Sequence, residues 1–325
     1  MSESGKVVRP KLAHKAIPFA KQQLGIVMAL LLLLIVSSFL SARFLSLPNL
    51  LNVLRQVAIV GILAIGQTFV ILTAGIDLSV GAILGLSVVL FADILQTQSL
   101  AVAIPVGLLC GGLMGIFNGL GVAYLRVPSM IFTLGTNAIA QGLMVVHTSG
   151  FAPQERSTAT MHLIAVGRSV FGVPNALWVW AAVGLVVVVL LNRTIFGRRI
   201  YAIGNRESAV YLSGVDTRRV VIGCFAISGS CSALSGVLLA GYSTHAYQAM
   251  GDPYLLPAIA AVVLGGTSIL GGRGTFLGTI AGVILITLLQ SILSVVQVPE
   301  AGRQIIYGAV IVSMLLLYGR ERIQQ

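Results

Sequence analysis

Long apolar runs, separated by short polar connections, constrain the fold of this 325-residue chain more than any other feature. Several of them reach the roughly 20 residues that a helix needs to cross the hydrocarbon core of a bilayer. Only 9% of the residues are charged, whereas a soluble domain carries about a quarter charged residues. The sequence therefore predicts an all-α membrane protein, a polytopic helical bundle of about ten transmembrane helices.

The apolar runs follow one another with no soluble domain between them. A basic tail (1–23) precedes the transmembrane region (24–318), and a short tail (319–325) follows it. Two connections, 149–174 and 192–219, are longer than a tight turn. The predicted spans are 24–39, 57–73, 82–94, 100–125, 129–147, 176–191, 220–241, 254–270, 276–296 and 304–317.

Lysine and arginine are distributed unevenly between the two sides of these spans. With the N-terminus inside, fifteen cations fall in cytoplasmic segments and five outside. Cytoplasmic connections of membrane proteins are enriched in lysine and arginine, so this bias favours ten spans with both termini in the cytoplasm. The net charge of +11 is thus a topology signal, and no nucleic acid is expected as a partner.

Motifs of catalysis and nucleotide binding are missing from the sequence. It contains no Gly-x-x-x-x-Gly-Lys-Ser/Thr loop, no His-Glu-x-x-His, no Gly-x-Ser-x-Gly and no cysteine or histidine cluster with metal spacing. The chain is therefore expected to be no enzyme and to need no cofactor or metal. His147 and His162 are expected to be solvated and without partners. Ion-coupled transport would need buried carboxylates, and only Asp77 and Asp93 are candidates, so the energy source is expected on another polypeptide.

An acidic residue between two apolar runs stands in the stretch T-A-G-I-D-L-S-V-G-A. An unpaired carboxylate is costly in an apolar environment, so Asp77 needs partners. Asp77 and Ser79 are expected to cap a helix that begins near Val80, while Gly75 and Gly81 permit a tight reversal. The alternative is that Asp77 belongs to a transport pathway.

Uncharged polar residues also occur inside the spans. The amides of Gln67, Asn118, Asn137 and Gln141 would suit a passage for a neutral polyhydroxylated solute. The alternative is that they form hydrogen bonds between helices, as amides commonly do in membrane bundles. Two rows of small residues are expected to allow close helix packing: Gly111, Gly115, Gly119 and Ser228, Ser232, Gly236.

The arginine-rich connection 192–219 contains the stretch G-N-R-E-S-A-V-Y-L-S-G. Residues 207–212 can form a short helix that Asn205 caps, whose N-terminal dipole Glu207 favours and that Gly214 ends. Such a helix could dock a soluble partner. The alternative is an ordinary positively charged cytoplasmic loop.

Three segments in order resemble the membrane permeases of bacterial ATP-binding-cassette sugar importers. They are T-A-G-I-D-L-S-V-G-A, A-I-A-A-V-V-L-G-G-T-S-I-L-G-G-R-G-T-F-L-G-T and G-N-R-E-S-A-V-Y-L-S-G-V. The resemblance covers 47–317 and is to the ribose, xylose and arabinose group, which includes galactofuranose and autoinducer-2 permeases. It implies a type II importer-like fold in the bacterial inner membrane and a role in sugar import.

The resemblance also implies partners. They are an ATP-binding cassette subunit, a periplasmic sugar-binding protein, membrane lipid, and a second permease copy or a homologous permease, with the pathway at the dimer centre. Ser208 replaces the alanine usual in the family's coupling segment, and Arg206 adds a charge. The residues nominated as contacts for the ATP-binding subunit are Glu207, Ser208, Ala209, Leu212 and Gly214. An ion-coupled secondary transporter and a non-transporting membrane scaffold remain as alternatives.

Overall fold

A computed structural model of the chain describes residues 19–40, 44–149, 159–243 and 248–323. This part of the chain is overwhelmingly helical, and each predicted span overlaps one of its helices. A 3-10 helix, Gln248–Gly251, precedes α10. The α-helices are α1 Phe19–Leu40, α2 Leu47–Leu72, α3 Val80–Thr97, α4 Leu100–Leu125, α5 Ser129–His147, α6 Ala159–Ala165, α7 Asn175–Arg193, α8 Ile195–Leu212, α9 Thr217–Tyr242, α10 Asp252–Leu264, α11 Phe276–Val295 and α12 Glu300–Ile323.

Seven helices of the described chain are long and apolar enough to cross a membrane: α2, α3, α4, α5, α7, α9 and α11. Shorter apolar helical stretches, Met28–Phe39 and Ala249–Leu264, lie in α1 and at α10. These seven helices have the length and composition of membrane-spanning helices, so the chain is a polytopic helical membrane protein. The count of ten spans stays a prediction.

Two predicted boundaries are wrong. The span 254–270 ends early, because α10 stops at Leu264 and the following glycines take left-handed backbone angles at Gly266, Gly271 and Gly272. The connection 192–219 is mainly helical, since α8 fills most of it and buries Ile200. The predicted connection 149–174 contains α6, and its residues 150–158 lie outside the described chain.

The centre of the bundle is formed by α2 and α9. The most apolar stretch of α2 is 83% buried and that of α9 is 61% buried, whereas α4, α5 and α7 are each only 22% buried. Helix α9 packs against α2, α3 and α4. The outer helices α4, α5 and α7 therefore keep apolar faces available to lipid or to another subunit.

The glycine row of α4 permits a close approach of α4 to α9. A Cβ atom at Gly111 would lie 2.5 Å from the carbonyl oxygen of Gly229 in α9, and one at Gly119 would lie 2.6 Å from the Cα of Ile222. Both distances are too short for a real side chain, so these positions require glycine. The predicted packing role of the row is confirmed.

The end of the bundle that carries α8 is called the inner end here, and the opposite end the outer end. Helix α2 reaches the inner end at Leu72, where the carbonyl oxygen of Leu72 accepts a hydrogen bond from the amide of Gly272 at 3.0 Å. The chain then turns back into the bundle through a non-helical stretch, residues 73–79, before α3 begins at Val80. We call residues 73–79 the re-entrant segment.

Candidate functional site

The predicted short helix at the inner end, residues 207–212, is present, but its predicted cap is wrong. Arg206 interrupts α8 with extended backbone angles (φ −162°, ψ 89°), so residues 207–212 form a separate turn of helix, called the inner short helix below. Asn205 does not cap it. The Asn205 amide instead donates to the carbonyl oxygens of Tyr201 (2.9 Å) and Gly272 (3.3 Å), which ties α8 to the glycine-rich turn between α10 and α11.

Glu207 anchors the inner short helix to two spans. Its carboxylate lies 3.1 Å from the guanidinium of Arg126, which follows the last residue of α4. The same oxygen accepts a hydrogen bond from the hydroxyl of Thr217, the first residue of α9, at 3.1 Å. Glu207 therefore links the inner short helix to the end of α4 and to the start of α9. Neither Arg126 nor Thr217 was predicted, and no local sequence signal marks a pairing across the fold.

The opposite side of the inner short helix faces away from the protein. Leu212 is 85% exposed and Tyr211 is 58% exposed. Ser208 and Ala209 are also exposed. An apolar tip on an otherwise basic connection is costly in water and suits contact with another protein. The nominated residues thus divide into Glu207, which contacts this chain, and an exposed set of Ser208, Ala209, Leu212 and Gly214.

Gly214 ends the inner short helix, as predicted. Its φ is +83°, and the amide of Val215 donates to the carbonyl oxygen of Val210 at 3.4 Å while the Gly214 amide donates to Tyr211 at 3.0 Å. These bonds form a Schellman-type ending, in which a glycine takes the left-handed conformation. The chain direction after the exposed tip is therefore set by Gly214.

A cavity of about 300 Å³ separates the inner short helix from the re-entrant segment. Its lining includes Thr73 and Gly75 on one side and Glu207 on the other. Arg126 and Arg218 also line it, and the Arg218 guanidinium carbon lies 5.0 Å from the centre of the Tyr124 ring. Beside this space, the inner short helix contacts the bundle through Glu207 and through Val210, which packs against the main hydrophobic core.

Asp77 is completely buried and is held by hydroxyl groups. One carboxylate oxygen accepts from the Ser79 amide (3.0 Å) and the Ser79 hydroxyl (2.6 Å), and the other accepts from the Ser228 hydroxyl of α9 (2.8 Å). The Ser79 hydroxyl accepts in turn from the Asn118 amide of α4 at 2.8 Å. Asp77 therefore joins the re-entrant segment to α9 directly and to α4 through Ser79.

The capping prediction for this region is wrong in part. Asp77 does accept a backbone amide, that of Ser79, but Ser79 accepts no hydrogen bond from the first turn of α3. The partners of Asp77 are mainly hydroxyls rather than backbone amides. The left-handed residue at the reversal is Ala74 (φ 64°), neither Gly75 nor Gly81. Gly81 is instead required because a Cβ there would lie 3.0 Å from the carbonyl oxygen of Gly251.

The backbone of the re-entrant segment is satisfied by side chains of α5 and α2. The amide of Ile76 donates to the Ser129 hydroxyl and that of Leu78 to the Thr133 hydroxyl, each at 3.0 Å, while the Gln67 amide donates to the carbonyl oxygen of Asp77. Non-helical backbone inside a membrane protein needs such partners. The signal in the sequence was the spacing of Ser129 and Thr133, which places both hydroxyls on one helix face.

The predicted pathway residues fall into two groups. Gln67, Asn118 and Asp77 are fully buried and belong to one network. Their contacts match the alternative that polar groups bond between helices. Asn137 and Gln141 lie apart from this network on α5, where Asn137 is half-buried and Gln141 is exposed. At the outer end, His147 is paired, contrary to prediction, because its Nε2 lies 3.3 Å from a carboxylate oxygen of Asp93.

Comparison with known proteins identifies close relatives along almost the whole chain. The ribose import permease protein of Bacillus subtilis is 41% identical over 298 residues, which cover 91% of this chain and 92% of the relative. The corresponding protein of Haemophilus influenzae is 37% identical over 89% of this chain and 90% of the relative. An autoinducer 2 import system permease protein of Escherichia coli is 34% identical, with 93% of this chain and 88% of the relative covered. No solved structure matches.

A protein family profile matches residues 49–315, which include α2 to α11, the re-entrant segment and the inner short helix. The profile is described as the permease component of a branched-chain amino acid transport system. The predicted resemblance to importer permeases is thereby confirmed. The chain belongs to this family of transport permease components.

Proposed function

We propose that the chain is the membrane permease subunit of an ATP-binding-cassette importer that moves a sugar into the cytoplasm. The observation that carries the proposal is the inner short helix, which presents exposed Leu212 and Tyr211 outward while Glu207 ties it to α4 and α9. This arrangement can convert movement of a bound partner into movement of spans. It occurs in a chain whose relatives are named import permeases.

The partner at the inner end is a separate ATP-binding subunit. The sequence has no phosphate-binding loop of its own, so the energy of ATP hydrolysis enters through contact. The exposed tip of the inner short helix, with Ser208, Ala209, Leu212 and Gly214, fits a groove on that subunit. ATP-driven closure of two such subunits would push the tips together and reset the permease after each inward opening.

The pathway lies between two permease chains, along α5. Asn137 and Gln141 are four residues apart on a span that is largely exposed. Amide groups are costly against lipid, so this face is better covered by a second copy or a homologous permease, or by water in a passage. Uncharged amides can replace the hydrogen bonds of water to a polyhydroxylated solute without binding an ion.

The substrate is a neutral sugar, a pentose, a hexose or a related polyol. Relatives are named for import of ribose and of autoinducer 2. A periplasmic binding protein would deliver the sugar to the outer end and supply much of the selectivity.

Reconstitution tests the function. The permease is purified with its genomically neighbouring ATP-binding subunit and binding protein and placed in proteoliposomes. We expect uptake of labelled D-ribose, D-xylose, L-arabinose or D-galactose that requires both partners and ATP. Uptake that persists without the ATP-binding subunit would identify an ion-coupled transporter, and the absence of any flux would identify a scaffold.

The chain is further proposed to cross the membrane ten times with both termini in the cytoplasm. In a variant without Cys110, Cys224 and Cys231, single cysteines at Ser208 and at Phe171, which is 90% exposed, report the two sides. An impermeant maleimide should label Phe171→Cys and spare Ser208→Cys in intact spheroplasts. Labelling of Ser208→Cys would contradict the orientation. Residue 157, in the same connection as Phe171, lies outside the described chain.

A further inference from the structure

A second cavity opens at the outer end of the bundle. It has a volume of about 200 Å³ and lies between α2, α9, α10, α11 and α12. Its deep side includes Gln56, which lies about 13 Å along α2 from Leu47. The cavity therefore extends from the outer end into the interior of the bundle, and it is separate from the Asp77 network and from the inner short helix.

Polar side chains of three helices converge on this cavity. The lining includes the carboxamides of Gln56 in α2 and Gln290 in α11, and the hydroxyl of Ser294 one turn further along α11. Carboxamides and hydroxyls can both donate and accept hydrogen bonds. A ligand that itself alternates donors and acceptors over its surface is the best match to such a lining.

The charged groups at the cavity are paired and held in place. Arg303 donates from Nε to the carbonyl oxygen of Val298 at 3.0 Å, and its terminal nitrogen lies 3.6 Å from the Glu300 carboxylate. Only 25% of the Arg303 side chain is exposed. Since one positive and one negative group oppose each other, the lining favours a neutral ligand, and the fixed guanidinium keeps donors available for it.

Two aromatic residues border the cavity. Tyr307 of α12 is almost fully buried and exposes almost no surface, so the partly exposed ring of Tyr254 in α10 is the aromatic surface available to a ligand. Aromatic rings offer rigid apolar surface at low conformational cost. Apolar C–H groups on one side of a sugar ring can pack against such surface while hydroxyl groups at its edge contact the amides.

The size of the cavity suits a single sugar unit. Its volume of about 200 Å³ corresponds to about seven water molecules at their share of liquid volume, which accommodates a pentose or hexose of roughly ten non-hydrogen atoms. Met250, in the 3-10 helix, also lines the cavity, and this 3-10 helix contacts α5. The cavity thus leads toward the helix that carries Asn137.

We propose that this outer cavity is a binding site for a neutral monosaccharide, where sugar released at the outer end is held before it enters the pathway. The inference rests on the proposed function and adds to it a sugar site within one permease chain. The affinity must be low, because a site on a conducting route has to release its ligand.

Direct binding to the permease tests this inference. The complex of permease and ATP-binding subunit, without binding protein, is placed in nanodiscs. It is then titrated with whichever tritiated sugar, D-ribose, D-xylose, L-arabinose or D-galactose, the full system imports. We expect saturable binding at millimolar concentration, weakened at least several-fold by Gln290→Leu and by Ser294→Ala. Gln96→Leu, at the outer end of α3 and away from the cavity, is the matched control and should bind like the parent. Thermal unfolding of each variant identifies any that fails to fold, and two independent positions keep the test valid.

Three results would overturn the inference. One is that a complex which imports sugar with its binding protein shows no saturable binding without it. Another is that both variants bind sugar like the parent. The third is that the variants lose affinity for the binding protein and not for sugar, which would make the cavity a docking socket. None of these results touches the proposed function, which fails separately if the full system imports no sugar.

Discussion

Asp77 and Leu212 lie at opposite extremes of exposure in neighbouring parts of the inner half of the bundle. Asp77 is 0% exposed and has three hydrogen bonds to the protein, whereas Leu212 is 85% exposed. A charged group has been buried and an apolar group has been left outside, which reverses the usual preference. The buried acid is explained by internal partners. The exposed leucine would be covered by the ATP-binding subunit in the proposed importer.

In the proposed importer, this difference separates residues that maintain the fold from residues that would transmit energy. The re-entrant segment uses Asp77, Gln67 and Thr133 to satisfy its own backbone and to join four helices. The inner short helix is anchored by the polar contacts of Glu207 and by the packing of Val210, and it exposes Ser208, Ala209, Tyr211 and Leu212. Substitutions in the first region should change the amount of folded protein. Substitutions in the second should change coupling at normal amounts.

The largest effect is expected from Leu212→Glu. An exposed apolar residue at the centre of an interface typically contributes about 2 kcal/mol or more of binding free energy, roughly a thirtyfold change in affinity. The variant should keep the parent's thermal stability and lose binding to the ATP-binding subunit in a surface plasmon resonance assay. Leu163→Glu, on α6 and 57% exposed, is the matched control. Equal binding by parent and Leu212→Glu would show that the tip is no docking site.

Asp77→Ala is expected to be nearly as severe, but through stability. It leaves the Ser79 amide, the Ser79 hydroxyl and the Ser228 hydroxyl without their acceptor, at a cost of about 3 kcal/mol or more. Asp77→Asn keeps one acceptor oxygen for Ser79 but places an amide NH2 group opposite the Ser228 hydroxyl, so it should cost about 1–2 kcal/mol, less than Asp77→Ala, with most transport retained. Fluorescence-detected size-exclusion chromatography after heating measures the stability of both variants.

If Asp77→Asn abolished sugar uptake at the parent's expression level, the negative charge itself would take part in transport. Asp77 would then act in transport, and the division between residues that maintain the fold and residues that act in transport would not hold for it.

The two regions could be predicted from the sequence to different extents, and the reason is physical. Spans depend on local composition, so α2, α4, α5 and α9 could be predicted from apolar runs alone. The short helix before Gly214 was also predictable, because a glycine ending is a local signal. The partners of Asp77 and Glu207 were not, since Ser228 is 151 residues from Asp77 and Arg126 is 81 residues from Glu207. Tertiary packing brings such groups together, because the re-entrant segment lies against α9 and the inner short helix lies against the end of α4.

Reversing the charge of Glu207 should have an effect on coupling of intermediate size. Glu207→Lys places two cations together at the site of the Arg126 contact, and because both side chains are about half exposed, the loss of stability should be 1 kcal/mol or less. Substrate-stimulated ATPase activity of the reconstituted complex should nevertheless fall several-fold, since the inner short helix loses its connection to α4.

The double variant Arg126→Glu/Glu207→Lys restores opposite charges and should recover part of this activity, which a double-mutant cycle would quantify. Single variants that hydrolyse ATP and import sugar like the parent would show that the segment acts only as a topology signal. Failure of the exchange to restore activity would place Glu207 at the partner's surface instead.

The smallest effects are expected at the two helix endings, where the regions can be compared residue for residue. Gly214 (φ 83°) ends the inner short helix and Ala74 (φ 64°) follows α2 at the start of the re-entrant segment. A left-handed residue with a Cβ atom costs roughly 1–2 kcal/mol relative to glycine. Gly214→Val should therefore destabilise the segment and reduce stimulated ATPase activity, although nothing lies within 4 Å of the added Cβ. Gly214→Asn should be tolerated, because asparagine enters this conformation readily.

Ala74→Gly, at the other ending, should raise the thermal midpoint of unfolding slightly with no change in coupling. A coupling defect in Ala74→Gly, or normal coupling in Gly214→Val, would show that the two endings do not differ in role.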